Sequence, residues 1–193
     1  SGLPSPPVKR TARAKWPRNT LPSWPARRKK TSGRCNRHAP AKPTAAARVP
    51  RGTELHVKGV AMAVADGISS SAVSRAAAET AVKALVTDYH ATPDAWTVKT
   101  AAARVIEATN SWLDAQNRHA RTSDMNNDLV CTLSALIMKA RYAHLFHVGD
   151  SRIARWQGGR LEALTQDHTT VLSETERYLG RALGARHRVE IDY

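Results

Sequence analysis

The stretch GVAMAVADGISSS, residues 59–71, runs six small apolar residues into an aspartate and a glycine. Val60 to Ala65 reads as a half-buried strand, and Asp66-Gly67 places a carboxylate at the rim of a sheet beside a residue that tolerates any turn. Such a rim is a place to hold a metal. Asp-Gly is also a common turn dipeptide, so taken alone the pair reads as a turn.

Downstream of this strand, Ala78, Val82, Leu85, Val86 and Tyr89 keep helical spacing and form one apolar face. Thr92-Pro93 has the form of a helix start with proline at the first helical position. Val98, Ala102, Val105, Ile106, Thr109, Trp112 and Leu113 supply the buried stripe of that second helix. From Leu129 the period changes from helical to two. LVCTLSALIMKA, YAHLFHVGDSRIARWQ and GRLEALTQDH read as successive strands, with Gly158-Gly159 as a hairpin turn. Ser173 and Glu176 form a capping box that predicts a helix over SETERYLGRALG, closed by Gly184, and RVEIDY predicts a last strand. Two helices followed by an antiparallel meander argue for the α+β class, with helices packed on sheet.

A second apolar strand, AHLFHVGDSR at residues 143–152, again terminates in a carboxylate, Asp150. Asp66 and Asp150 together could share a hard divalent cation, because Mg2+ and Mn2+ prefer oxygen ligands and need only a few carboxylates plus backbone carbonyls. The competing reading is that Asp150 caps a turn before Ser151-Arg152. His144 and His147 are three apart in a strand, which points them to opposite faces and makes them a poor metal pair; His144 with Phe146 reads as a packed face.

The chain divides by composition. Of 30 Lys+Arg in 193 residues, 13 lie in residues 1–50, which hold no Asp or Glu and nine of the ten prolines; residues 51–193 carry 17 basic against 16 acidic residues. All but one unit of the net charge of +14, and with it the pI near 10.6, therefore belong to the first segment. With no apolar periodicity and repeated prolines, residues 1–50 are expected to be disordered, while residues 51–193 suffice for one domain. Trp16 and Trp24 among those positive charges would suit a nucleic-acid-binding tail, but a charge run is more often a solvated linker, and nucleic acid is not expected as a partner. The chain has no 18-residue apolar run and its N-terminus lacks a signal-peptide core, so no membrane segment is expected and a cytoplasmic setting is the default. Cys35 and Cys131 offer no disulfide framework.

ADG at the end of the first strand, VCTLSAL, HVGDSRI, LTQDH and YLGRALG, in this order, resemble the metal-dependent protein serine/threonine phosphatases of the 2C type, over residues 51–193. GISSS, TPDAWTVKTAAARV, NSWL and VEIDY are similar to the phosphatase half of bacterial proteins that join such a domain to a protein kinase. The resemblance implies two antiparallel sheets sandwiched between helices, and hydrolysis of phosphoserine and phosphothreonine in proteins by a metal-activated water. It implies two Mn2+ or Mg2+ ions bridged by Asp66, one of them bound by the Gly67 carbonyl, and a third, weaker metal position near Asp150. The partners it implies are a phosphoprotein substrate and a protein kinase encoded downstream.

In that family an arginine and a short acidic motif precede the strand ending at the position of Asp66, and two further metal aspartates follow the last position of this sequence, so the domain is expected to be C-terminally incomplete. Residues 1–50 contain no acidic residue. Their Arg, Pro and Ala without acids is the composition of a GC-rich gene read out of frame, and a frameshift is one origin the sequence suggests. The expectation is a feeble phosphatase, with a catalytically silent phosphoprotein-binding scaffold as the alternative.

Overall fold

A computed structural model describes residues 43–68, 72–120, 128–171 and 177–193, all within one unit, Arg37–Tyr193. Its centre is a four-stranded antiparallel sheet in sequential order: β1 (Thr44–Arg48), β2 (Val60–Ala65), β3 (Leu133–Lys139) and β4 (Tyr142–Val148). A short helix, α1 (Thr53–Lys58), links β1 to β2, and α2 (Ala72–Ala91) and α3 (Val98–Ala120) come between β2 and β3. Two ribbons follow, β5 (Ala154–Gln157) with β6 (Arg160–Ala163), and β7 (Thr169–Val171) with β8 (Arg177–Leu179). The class is α+β with antiparallel sheets and helices, as the sequence pattern predicts.

The alternation in β2 is the reason the layers fit. Ala61, Ala63 and Ala65 are buried while Val64 on the opposite face is exposed. They meet Ala77, Ala78 and Ala81 of α2 in the same core, and paired small residues let a helix lie close on a sheet. Leu85, Tyr89, Ile106, Leu113, Leu133, Ile137 and Phe146 fill the larger volumes, each aliphatic side chain contributing roughly 1.5–3 kcal/mol by burial. Every member of the predicted α2 stripe is buried, and so is the α3 stripe except Trp112. Half-exposed, Trp112 rims a groove on the outer side of the helix pair with Trp96.

Four local expectations are corrected. Residues 44–48, expected to be part of a disordered segment, form β1, which pairs with β2 from Thr44↔Ala65 to Arg48↔Ala61. Thr92-Pro93 does not open α3. Lys58 reaches it from α1, donating to the carbonyls of Thr92 (2.5 Å) and Pro93 (3.2 Å), so this turn closes α2. Thr97 caps α3 instead, accepting from the Thr100 N–H at 3.1 Å. No helix runs through YLGRALG: Arg177–Leu179 pairs with β7, and Leu183 exchanges backbone hydrogen bonds with Cys131 (2.9 and 3.2 Å). Ser173 and Glu176 of the proposed capping box lie outside the described residues. The strand expected over RVEIDY reduces to one bridge, Asp192 with His147.

Candidate metal centre

β2 and β4 are both antiparallel to β3, so they run parallel to each other and end at the same edge of the sheet. Asp66 follows the last residue of β2, and Gly149-Asp150 follows the last residue of β4. The topology therefore brings together the two carboxylates that the sequence places about 80 residues apart, with backbones two strand spacings, roughly 10 Å, from one another. Their side chains feel each other. Burial, and then the Asp150 charge, push the Asp66 carboxyl above its usual range, against a hydrogen bond from the Gly67 N–H.

Thr132, at the entrance to β3, joins the two ends. Its N–H donates to the Asp66 carbonyl (2.8 Å), and its hydroxyl accepts from the Asp66 N–H (3.2 Å). The same hydroxyl lies 2.9 Å from the Ser151 hydroxyl, the residue after Asp150. Gly67 faces Cys131 in an isolated bridge flanked by the Ile68 N–H to Val130 carbonyl bond, 3.2 Å. A Cβ at Gly67 would lie 2.6 Å from the Ser74 carbonyl oxygen, so the chain passes from β2 against the start of α2 only with glycine there.

The motifs after Asp150 brace the same edge. Arg152 forms a two-pronged ion pair with Asp167 of LTQDH. The Ser134 hydroxyl lies 3.2 Å from the Ser151 carbonyl and 2.9 Å from His147 Nδ1. Burial and the neighbouring His168 lower the His147 pKa. His144 points the other way, to the Tyr193 hydroxyl at 2.8 Å, and both His144 and Phe146 contact the Tyr193 ring. The two histidines thus serve opposite faces, as their spacing requires.

Asp66, Asp150 and the Gly67 backbone are oxygen donors suited to a hard divalent cation, and two carboxylates that repel each other are what a cation relieves. Among the described residues there is no group of three or more His, Cys, Asp or Glu that could hold a metal ion. The donor set therefore fits such an ion as part of its coordination, with water or other oxygen ligands making up the rest. Cys131 is buried: burial, then Asp66, push its thiol up to about 12, so in the metal-free protein it is no thiolate nucleophile at neutral pH. Sequence reasoning did not find Thr132, which reads as filler between apolar residues. It also assigned no role to His168 or Asp192, although LTQDH and VEIDY contain them.

Residues 52–183 match the family model described as protein phosphatase 2C. No curated protein sequence matches the chain significantly. Among solved structures, PppA of Pseudomonas aeruginosa, a regulatory component of its type VI secretion system, aligns with a TM-score of 0.58 at 19% identity, over 80% of this chain and 70% of that one. The serine/threonine phosphatase Stp1 of Staphylococcus aureus aligns at 0.58 and 15% identity, over 81% and 73%. The catalytic domain of the serine/threonine protein phosphatase PstP, in complex with two manganese ions, aligns at 0.55 and 25% identity, over 78% and 70%.

Proposed function

Because the chain belongs to the protein phosphatase 2C family, we propose that Asp66, Gly67 and Asp150 form its share of the metal centre on which phosphoserine and phosphothreonine hydrolysis depends. The family's reaction is metal-dependent dephosphorylation of proteins with Mn2+ or Mg2+ as cofactor, and the similar PstP domain holds two manganese ions. The observation that carries the assignment is the convergence of the two strand ends on Thr132, with the Asp66 carboxyl raised in pKa by burial and then by the Asp150 charge.

When bound, the divalent ions supply the charge that makes water nucleophilic and screens the phosphoryl oxygens. The chain's own residues hold the site in shape. Asp66 presents a partly desolvated carboxylate, the close packing of Gly67 on Ser74 sets the peptide beside it, and Asp150 contributes the second negative charge. Cys131, buried and protonated, takes no part as a nucleophile, consistent with direct attack of water on phosphorus and departure of the serine or threonine hydroxyl. Phosphoproteins are the substrate class. A protein kinase encoded downstream of this chain and a cytoplasmic setting extend the proposal; the first rests on the sequence resemblance, the second on the hydropathy pattern of the sequence.

The test is Asp66→Asn. Calorimetric Mn2+ titration of the wild-type chain should show binding that the variant loses, and hydrolysis of p-nitrophenyl phosphate and a phosphothreonine peptide in millimolar Mn2+ should fall with it. A carboxyl whose folded-state pKa lies above its unfolded value costs stability once pH has risen through that folded value. Metal-free Asp66→Asn should therefore melt at the same temperature as wild type or higher at pH 7. Retained Mn2+ binding, or a large loss of metal-free stability, would assign Asp66 to the turn alone. Mn2+ binding with no wild-type turnover would mark a silent scaffold.

A further inference from the structure

Gly149 sits between β4 and Asp150 with φ of +117°, and a Cβ there would come within 2.6 Å of the Thr132 side chain. Only glycine fits, and a glycine has no side chain to hold its peptide in place. Hydrogen bonds must set the orientation of Asp150 instead. Two of them come from His168. Its main-chain N–H donates to the Gly149 carbonyl at 2.8 Å, and its Nδ1 accepts the Gly149 N–H at 3.0 Å.

An Nδ1 that accepts carries no proton, so the proton of the neutral ring is on Nε2, which donates to Asp192 Oδ2 at 2.8 Å. Asp192 is itself anchored. Its other oxygen accepts from Arg181 at 2.9 Å, and its backbone exchanges two 3.0 Å hydrogen bonds with His147 of β4. The imidazole, 8% exposed, is thus held at one end by a residue tied to β4 and holds the last peptide before Asp150 at the other.

We propose that His168 is a positioning residue for Asp150, its ring, oriented by Asp192, holding the Gly149 peptide that aims the carboxylate into the metal centre. The proposal rests on the reading of Asp150 as a metal ligand. It accounts for LTQDH, whose aspartate pairs with Arg152 and whose histidine holds the Gly149 peptide.

Two substitutions separate the ends of the ring. His168→Asn places an amide oxygen where Nδ1 lies and can still accept from Gly149, but does not reach Asp192. His168→Gln reaches Asp192 and leaves the Gly149 N–H unpaired. In Mn2+ titrations of the full chain, His168→Asn should stay within about threefold of wild type, and His168→Gln should bind about tenfold more weakly. Equal binding by both variants, equal loss in both, or loss in His168→Asn alone would overturn the proposal.

A metal-free measurement stands apart from the function. The 15N shifts of His168 should show an unprotonated Nδ1 and a protonated Nε2, and the Gly149 amide proton should move upfield in His168→Gln but not in His168→Asn. A protonated Nδ1 would overturn the clasp whatever Asp150 does. Asp150→Asn is the control for the underlying reading: if it leaves Mn2+ affinity unchanged while the wild-type tautomer is as described, Asp150 is not a ligand, and the failure lies there.

Discussion

Thr132 is the residue on which the two strand ends depend. Its hydroxyl takes the Asp66 N–H and faces Ser151, while its methyl lies against Gly149. Thr132→Val keeps the shape and removes the hydroxyl, leaving the Asp66 N–H unpaired at a cost of about 1–3 kcal/mol, and should weaken Mn2+ binding several-fold. Thr132→Ser keeps the hydroxyl and should retain affinity close to wild type. Denaturation and Mn2+ titration of both variants check this, and equal affinity in Thr132→Val and wild type would remove the hydroxyl from the site. At this scale the sequence shows the carboxylates and hides their support. An aspartate closing an apolar run is chemically conspicuous, whereas a threonine or histidine acquires its role only from the partner that another strand brings to it.

Among the elements, those with long, strong periodicity were legible: β2, α2, α3, β3 and β4 lie where the apolar pattern puts them. The misreadings fall where a local signal was outbid by a distant partner. Thr92-Pro93 has a good helix-start signature, yet the buried Lys58 ammonium takes its oxygens and adds an ion pair to Asp94 at 3.2 Å. YLGRALG has helical propensity, but pairing with β7 and Cys131 satisfies its backbone in extended form. What ties this segment to α3 is a pair of asparagines on one helix face. Asn110 accepts the Gly184 N–H (2.9 Å) and donates to the Arg186 carbonyl (3.0 Å). Asn117 accepts the Leu129 N–H (2.6 Å) and donates to the Leu129 and Gly184 carbonyls (3.2 and 3.0 Å). Asn117→Ala strands these groups and should cost about 2–3 kcal/mol in urea unfolding, with exposed Ser111→Ala within about 0.5 kcal/mol of wild type. A loss as small as that of Ser111→Ala would show that water replaces the amide.

Across the described residues, burial is concentrated where α2 and α3 cover one face of the four-stranded sheet, and it is absent from the β5–β6 ribbon, whose eight residues are all exposed. Opening free energies should follow that division. In native-state hydrogen exchange, amides of β3 and of the middle of α2 should exchange last, and those of β5 and β6 first. Protection of the ribbon equal to that of β3 would mean that it is covered by another surface in solution. The sequence by itself determined the α+β class, the two long helices, the strands on which the site is built, and Asp66 and Asp150 as candidates, because periodicity and strand-end chemistry are local properties written in consecutive residues; Gly67 as a ligand came from the family resemblance. Tertiary structure alone decided that residues 44–48 complete the sheet, that YLGRALG forms no helix, and that Thr132, His168 and Asp192 brace the carboxylates. Each of these depends on hydrogen bonds between residues far apart in the chain, whose partners exist only once β2 and β4 have been laid on either side of β3.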